Sequence, residues 1–168
     1  GQLDQSCRQK LEIFKVNDAV TKAIAFSRNF IDSCTENFCV LLSQQDLFIK
    51  GDSNQIQQVV INLITNACQA LTSSKEMVRI TTSLDQDNQL VKITVEDEGT
   101  GIHQHDIPHL MDPFFTTKKD KFSTGLGLSI SNDIAIKHGG KILIHSVLNK
   151  GTRVEFILPC ENAKDCGE

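Results

Sequence analysis

Residues 60–71 read VINLITNACQAL, and they carry the clearest structural signal in the chain. The apolar residues of this stretch recur at intervals of three and four, which is typical of a helix with one buried face. Two asparagines, Asn62 and Asn66, lie four residues apart beside that apolar stripe. Asparagine is a modest helix former, and its amide needs hydrogen-bond partners when it is buried. The stretch therefore predicts a core helix whose polar face needs an explanation.

The polar face continues along the whole predicted helix. No charged residue lies between Asp52 and Lys75, and the face carries only the neutral amides of Gln55, Gln58, Asn62, Asn66 and Gln69. An amide both donates and accepts hydrogen bonds, and its oxygen can ligate a hard cation such as Mg²⁺. Taken alone, the stripe is compatible both with a solvated face and with the wall of a ligand site.

Outward from this helix, the chain alternates helices with pairs of strands. Asp52 and Gln55 have the spacing of a capping box, which predicts the start of the helix. Apolar periodicity predicts further helices over residues 17–33 and 126–137, with a short helical segment near residues 105–111. Alternation predicts strands over residues 38–42, 47–49, 77–84, 90–95, 141–147 and 152–158. This order predicts a two-layer α/β fold, in which helices cover one face of a mixed, mostly antiparallel sheet.

Length, composition and charge exclude several classes of protein. The 168 residues suffice for one domain with a hydrophobic core, and 39% hydrophobic with 23% charged residues is typical of a globular chain. A formal net charge of -4 makes sequence-independent nucleic-acid binding a poor expectation. Since no apolar run of about 18 residues occurs, we expect no transmembrane helix, and we expect no signal peptide. The six cysteines contain no CxxC pair, and we expect them to be reduced thiols.

Three further motifs follow the asparagine helix. The acidic turn at residues 96–101 (EDEGTG) permits close approach of the backbone to a ligand, although an ordinary acidic turn explains it as well. Residues 112–119 (DPFFTTKK) lie in a long segment without periodicity, as in functional lids, but the phenylalanines could be a core plug and the lysines solvated. Residues 123–129 (STGLGLS) open a helix in the manner of a phosphate cradle, without the pattern of a Walker A loop or a Rossmann fingerprint.

Together and in this order, the four motifs resemble the N, G1, F and G2 boxes of the catalytic ATP-binding domain of two-component sensor histidine kinases. That domain belongs to the GHKL superfamily, which also contains type II topoisomerases, heat-shock chaperone ATPases and mismatch-repair ATPases. The resemblance covers about residues 16–159, and the F box is most similar to that of nitrogen-regulation kinases. It implies a Bergerat-type ATP-binding fold, which is a two-layer α/β sandwich.

The resemblance implies a role for each matching residue. Asn66 would ligate a Mg²⁺ ion that bridges the phosphates, Asp97 would accept a hydrogen bond from the adenine amino group, and Thr152 would lie near the same adenine edge. The implied catalytic residues are Asn62, Asn66 and Lys118, of which Lys118 would reach a phosphate. The implied binding site for ATP and Mg²⁺ consists of Asn66, Asp97, Gly99, Gly101, Ile102, Phe115, Thr117, Lys118, Thr124, Gly125, Leu126, Gly127, Leu128 and Thr152.

Asn62 bears on the choice between phosphoryl transfer and hydrolysis. Hydrolysing members of the superfamily have a glutamate here that activates water, whereas an amide cannot act as a general base near neutral pH. We therefore expect transfer to another nucleophile, which needs mainly positioning and charge neutralisation. Two alternatives stay open: a superfamily hydrolase or anti-sigma serine kinase, and a degenerate module that only mediates contacts. Ser123, where the family often has glycine, is the support for the second alternative.

None of the five histidines has the sequence context of a phosphoacceptor. We therefore expect residues 1–15 to be a linker or the end of a preceding acceptor helix, residues 16–160 to be the ATP-binding domain, and residues 161–168 to be a tail. His103, His105 and His109 are expected at the surface and not in a zinc site. The implied partners are ATP, the histidine-containing dimerisation domain of the same kinase and, indirectly, a response regulator, without nucleic-acid or membrane contact. The expected location is the cytoplasm, even if the parent protein is anchored in a membrane.

Overall fold

The strands and helices follow the apolar patterns along the chain. The computed structural model describes residues 11–113, 115 and 127–161. In these ranges the helices are α1 (Val16–Cys34), α2 (Ser53–Ala70), a short 3-10 helix (Ile107–His109) and α3 (Gly127–Lys137). The strands are β1 (Glu12–Lys15), β2 (Asn37–Leu41), β3 (Phe48–Gly51), β4 (Met77–Asp85), β5 (Leu90–Asp97), β6 (Lys141–Val147) and β7 (Gly151–Pro159).

Five strands form the main sheet, in the order β2-β4-β5-β7-β6. Strands β2 and β4 are parallel, whereas the other neighbouring pairs are antiparallel. Along β5 the side chains of Val91, Ile93 and Val95 are buried, and the residues between them are partly exposed. This alternation directs one face of the sheet toward the helices and the other face away from them. The predicted α/β fold with a mixed, mostly antiparallel sheet covered on one face is confirmed.

Helix α2 packs against both α1 and α3 and contacts β5. Its apolar stripe is buried in the core at Ile56, Val59, Val60, Leu63, Ile64, Ala67 and Cys68. Each large aliphatic side chain that is removed from water contributes roughly 1.5–3 kcal/mol. Burial of the stripe therefore holds α2 on the sheet. The neighbouring amide face lies at the edge of this contact.

The start of the predicted helix α2 is explained by hydrogen bonds. Asp52 Oδ1 accepts from the backbone N–H groups of Asn54 and Gln55 at 3.0 and 3.3 Å, as the capping pattern predicts. The N–H of Asp52 itself donates to Nε2 of His138, which follows α3, at 3.0 Å. His138 Nδ1 lies 2.7 Å from the carbonyl oxygen of Ile134, which can only accept, so this nitrogen carries the proton. The start of α2 is thereby tied to the end of α3.

Strand β1 is a feature that the sequence analysis did not predict. The sequence predicts a linker or the end of a preceding helix for residues 1–15. In the structure, Glu12–Lys15 pairs antiparallel with β3, and the two strands form a separate sheet. At the other end of the chain, the N–H of Glu161 donates to the carbonyl oxygen of Phe48 at 2.8 Å. A four-residue strand has too few alternating positions to show in the sequence, and its partner determines it.

The segment between β5 and α3 is largely irregular where it is described. The helical segment predicted near residues 105–111 consists of one 3-10 turn, Ile107–His109, which contains Pro108. His103, His105 and His109 are exposed, as expected. In the part of the chain that the structure describes, no helix has the length and apolar character needed to cross a membrane.

Candidate functional site

Three polar side chains form one row across the end of the main sheet. Asp97, the last residue of β5, pairs with Thr152 of β7, and Thr152 pairs in turn with Ser146 of β6. Paired residues on neighbouring strands point to the same face of a sheet. Because Val95, two residues before Asp97, is buried under the helices, the row lies on the helix-covered face. The strand register thus places Asp97 and Thr152, the two predicted adenine contacts, side by side. Ser146 is the neighbour of Thr152 on its other side.

Ser146 has three hydrogen-bond partners in this row and the loops beside it. Its Oγ accepts from the N–H of Ile102 at 2.8 Å and donates to the carbonyl oxygen of Gly151 at 2.9 Å. The same Oγ lies 2.8 Å from Oγ1 of Thr152. Because Ser146 is only 8% exposed, protein groups supply its hydrogen bonds.

The acidic glycine turn packs against the C-terminal end of α2. Asp97 Oδ1 accepts from the N–H of Gly99 at 2.9 Å, which closes the turn around the carboxylate. The N–H of Thr100 donates at 3.0 Å to the carbonyl oxygen of Ala70, one of the last residues of α2. A Cβ atom at position 99 would collide with that same carbonyl group. Glycine at position 99 is therefore required for the close approach of the turn to the helix.

Two glycines with positive φ angles fix the turn from its other side. Gly101 has φ +68°, and Gly151, the first residue of β7, has φ +128°. A Cβ atom at position 151 would collide with the backbone carbonyl oxygen of Asp97. The N–H of Asn149 donates at 2.6 Å to the carbonyl oxygen of Thr100. The β6–β7 turn therefore lies directly against the residues that hold Asp97.

The amide face of α2 contacts the start of α3. Asn62 Nδ2 donates to Ser131 Oγ at 3.3 Å, and the Ser131 side chain is fully buried. Asn66 lies one helical turn further on and is half-buried, as is Asn62. Asn62 thus links the helix that bears both asparagines to the helix that begins with Gly127 and Leu128. The face is partly buried and has protein contacts, so it is not a merely solvated surface.

Helix α2 also supplies the back of the Asp97 turn through Cys68. The Cys68 side chain is 3% exposed. Burial, with smaller contributions from the neighbouring Cys34 thiol and from the Asp97 carboxylate, raises the pKa of the Cys68 thiol to about 12. The thiol therefore stays protonated at neutral pH and packs as a small apolar group.

A cleft of about 580 Å³ opens at this end of the sheet, and its lining includes Asp97, Ser146 and Thr152. Gln104 also lines the cleft, and its Nε2 donates to the carbonyl oxygen of Ser146 at 2.8 Å. The lining continues with Ile107 and Ile144 and includes Lys150 of the β6–β7 turn. It also reaches Glu96 and Arg153 on the other face of the sheet. Small-molecule sites have volumes of roughly 300–1,000 Å³, so the cleft is large enough for a ligand of nucleotide size.

Comparison with known proteins assigns a family to this arrangement. Residues 51–162 match the family described as histidine kinase-, DNA gyrase B-, and HSP90-like ATPase. The chain belongs to this ATPase family. The match includes α2, the Asp97 turn, α3 and the β6–β7 pair, so it covers every element that contributes to the site described above.

Several similar proteins of this ATPase family are sensor kinases by name. The chain is 35% identical over 130 residues to sensor histidine kinase WalK of Bacillus subtilis (strain 168), which covers 74% of this chain and 21% of WalK. The catalytic domain of histidine kinase ThkA is 30% identical, with a TM-score of 0.77, and the likeness covers 90% of this chain and 96% of that domain. Full-length ShkA in complex with AMPPNP has the same fold, with a TM-score of 0.80 at 20% identity over 93% of this chain and 32% of ShkA.

The extent of these matches defines what kind of unit the chain is. It spans between 21% and 27% of the length of the first curated relatives, but nearly the whole of the ThkA catalytic domain. The chain is therefore an ATPase-family domain of the type that forms the catalytic part of histidine kinases.

The structure describes most, but not all, of the residues that the sequence analysis assigned to the site. Asp97, Gly99, Gly101, Ile102 and Thr152 lie together at the sheet end, and Asn62 and Asn66 lie on α2. Phe115 is half-buried, with its ring centroid 5.8 Å from that of His109. Gly127 and Leu128 are the first residues of α3. Thr117, Lys118, Thr124, Gly125 and Leu126 lie outside the described residues, and so does most of the segment that suggested the nitrogen-regulation subtype, which stays a prediction.

Two serines of the site were missed by the sequence analysis. Ser146 lies in an ordinary alternating strand, and Ser131 lies in an ordinary helix, so neither has a local signal that distinguishes it from other serines. The register of β6 with β7 reveals the first, and the packing of α3 on α2 reveals the second. In the pattern of strands, the clue to Ser146 is its position directly opposite the predicted Thr152.

Proposed function

We propose that the chain binds Mg-ATP and transfers the γ-phosphoryl group to a histidine on a separate dimerisation domain of the same kinase. The observation that carries this proposal is the pairing of Asp97 with Thr152 at the cleft, next to a glycine turn that packs on α2. A carboxylate accepts hydrogen bonds only, and an adenine amino group donates them. The row therefore offers the acceptors that the edge of an adenine base needs.

The residues present fit a magnesium ion that is held mainly by the nucleotide. Among the described residues, no group of three His, Cys, Asp or Glu side chains could hold a metal ion on its own. Mg²⁺ commonly keeps several waters and binds through substrate phosphates and one or two protein oxygens. Asn66, with its half-buried amide on α2, is the residue that we propose as the protein ligand. The ion would neutralise phosphate charge during transfer.

We propose that the start of α3 contacts the phosphates. The first N–H groups of a helix have no partner within the helix, and the helix dipole favours an anion there. Gly127 and Leu128 occupy these first positions, and Asn62 on α2 is tied to Ser131 one turn later. We propose that Thr117, Lys118, Thr124, Gly125 and Leu126 complete the phosphate site, as the family resemblance implies, with Phe115 beside them.

Asn62 favours transfer over hydrolysis. Its side chain is an amide whose nitrogen donates to Ser131, and an amide cannot remove a proton from water near neutral pH. A site that positions the γ-phosphate without activating water leaves the phosphoryl group for an incoming nucleophile. A histidine imidazole on another domain is such a nucleophile. The proposal includes a cytoplasmic location, where ATP is available, and a response regulator as the later acceptor of the phosphoryl group.

The proposal is tested by mixing the chain with the dimerisation domain of its parent protein and ATP labelled in the γ-phosphate. We expect label on the dimerisation domain that is lost in acid and retained in alkali, as for phosphohistidine. The matched control is the same dimerisation domain with its acceptor histidine replaced by alanine, which should remain unlabelled. Acid-stable label, or release of the label only as free phosphate, would contradict the proposal.

A further inference from the structure

The row formed by Asp97, Thr152 and Ser146 contains two hydroxyl hydrogens whose positions follow from the partners around them. A serine hydroxyl has one hydrogen to donate and two lone pairs that accept. Ser146 Oγ has three partners: the N–H of Ile102 at 2.8 Å, the carbonyl oxygen of Gly151 at 2.9 Å and Thr152 Oγ1 at 2.8 Å. These three contacts use the full capacity of the serine oxygen.

Two of the partners leave no choice of direction. A carbonyl oxygen can only accept, so Gly151 takes the single hydrogen of Ser146. A backbone N–H can only donate, so Ile102 takes one lone pair of Ser146 Oγ. The remaining contact can then form only if Thr152 donates its own hydrogen to the second lone pair. The hydrogen of the Thr152 hydroxyl is thereby directed toward Ser146.

A threonine whose hydrogen is committed can only accept from a ligand. Asp97, the neighbour of Thr152 across β5 and β7, is an acceptor as a carboxylate. Both residues line the cleft, and their two side chains present acceptors alone to a ligand placed against them. A purine with an amino group at position 6 brings two hydrogens to these acceptors. A purine with an oxygen at position 6 has an acceptor in place of that amino group, beside an N1–H donor, and the oxygen is repelled by these two side chains.

We propose that Ser146 is a positioning residue that sets the base specificity of the site, by holding the Thr152 hydroxyl so that 6-amino purines are selected over 6-oxo purines. Ser146 acts through Thr152 and does not itself need to contact the nucleotide. The inference rests on the proposed function, because it assumes that the base of a nucleoside triphosphate lies against Asp97 and Thr152.

The test compares the dissociation constants of ATP and inosine triphosphate, its 6-oxo analogue, measured by titration calorimetry with Mg²⁺. The wild-type chain should bind ATP more tightly than inosine triphosphate. In Ser146→Ala the Thr152 hydroxyl is released and can turn its hydrogen toward a 6-oxo group. The ratio of the dissociation constant of inosine triphosphate to that of ATP should then fall by about three- to tenfold, which corresponds to the usual free-energy contribution of one hydrogen bond. Ser83→Ala, at an exposed position of β4, is the matched control and should leave the ratio unchanged.

A double-mutant cycle separates this role from a structural one. In a Thr152→Val background there is no hydroxyl for Ser146 to direct, so Ser146→Ala should no longer change the ratio. If Ser146 only anchors Ile102 and Gly151, its removal should weaken both nucleotides equally in either background, and this result would overturn the inference. Should Ser146→Ala fail to fold, Thr152→Val alone tests the acceptor through which Ser146 acts, and an unchanged ratio in this variant would overturn the inference.

The outcomes also separate this inference from the proposed function. If the wild-type chain binds neither nucleotide, the proposed function fails. If it binds ATP with preference over inosine triphosphate but Ser146→Ala and Thr152→Val keep that preference, only the role of Ser146 is wrong. If the wild-type chain binds both nucleotides equally, the assignment of Asp97 and Thr152 as acceptors alone is wrong although nucleotide binding stands.

Discussion

At the residue scale, the account depends on which side chains donate and which accept hydrogen bonds. Asp97 accepts from Gly99 in its own turn and has Thr152 as its neighbour across the strands, while Ser146 directs the Thr152 hydroxyl. Asn62 donates to Ser131 and has no basic function to offer a water molecule. Each of these statements can be tested by a substitution that changes hydrogen-bonding character and preserves shape.

Asp97→Asn should abolish tight ATP binding. The asparagine Oδ1 can still accept from the N–H of Gly99, and its Nδ2 then faces the adenine amino group, donor against donor. Hydrogen bonds to charged groups contribute about 1.5–3 kcal/mol, so the affinity should fall by at least about tenfold. Calorimetric titration measures the change. Asp87→Asn, in the exposed β4–β5 turn, is the matched control, and equal affinities of the two variants would refute the adenine contact.

Asn62→Glu should raise ATP hydrolysis by the chain alone. A carboxylate at this position can act as a general base, which typically contributes roughly 10²–10⁴-fold in rate. Asn62→Gln is the matched control, because it lengthens the side chain by the same amount and keeps the amide. The measurement is ADP release over time. If the glutamate variant hydrolyses ATP no faster than the glutamine variant, the amide at position 62 is not what limits hydrolysis.

Cys68 should make the folded state less stable at alkaline pH. Its thiol has a pKa of about 12 in the folded chain and 9.0 as its ordinary value, so the folded state favours the neutral thiol. This contribution is fully present below pH 9 and is lost as the pH rises through about 12. The free energy of unfolding should therefore decline more steeply above pH 9 in the wild type than in Cys68→Ala. Parallel curves, with Cys39→Ala as a second reference, would show that the thiol is not perturbed.

At the scale of the elements, close backbone approaches hold the site together. The Asp97 turn packs on the carbonyl end of α2, the β6–β7 turn packs on the Asp97 turn, and α3 is tied to α2 at both Ser131 and His138. These contacts involve glycines because a side chain at positions 99 and 151 has no room. The site is thus built from the ends of elements whose middles are packed in the core.

Gly151→Ala should destabilise the fold strongly. The added Cβ would collide with the carbonyl oxygen of Asp97, and φ of +128° is unfavourable for any residue with a side chain. We expect a loss of about 2–4 kcal/mol in the free energy of unfolding, measured by urea denaturation. Gly127→Ala is the contrasting variant, since no heavy atom of the described residues beyond its chain neighbours and its own stretch of helix backbone lies within 4 Å of the added carbon. Its effect should lie between zero and a gain of about 1 kcal/mol, and a similar loss in both variants would contradict this reading of the turn.

The sequence predicts elements well where the signal is local. The cap at Asp52, the apolar stripe of α2 and the alternation of β5 each lie within one stretch of chain, and the structure agrees with them. Strand β1 was not predicted because its existence depends on pairing with β3, about 35 residues later. The resemblance predicted that Asp97 and Thr152 lie near the same adenine edge, and the register shows that they are neighbours across β5 and β7. Ser146 gained its role from that register, and no local pattern could have revealed it.

At the scale of the whole molecule, we propose that the chain is a nucleotide-binding unit that needs a partner to complete its reaction. Its family match and its nearly full coverage of the ThkA catalytic domain support this proposal. None of its five histidines has the sequence context of a phosphoacceptor, so the proposed reaction needs a nucleophile from another domain. A division of this kind would keep ATP bound and unreacted until the acceptor histidine arrives, which is consistent with an amide at position 62.

The most direct test of the central claim is a calorimetric titration of the 168-residue chain with ATP, in the presence and absence of Mg²⁺. We expect one molecule of ATP to bind per chain, more tightly with Mg²⁺ than without it, and to be recovered afterwards largely as ATP. Absence of Mg²⁺-dependent binding would mean that the site is degenerate and serves only for contacts. Rapid turnover to ADP at the rate of a chaperone ATPase would mean that the chain is a hydrolase and not the catalytic part of a kinase.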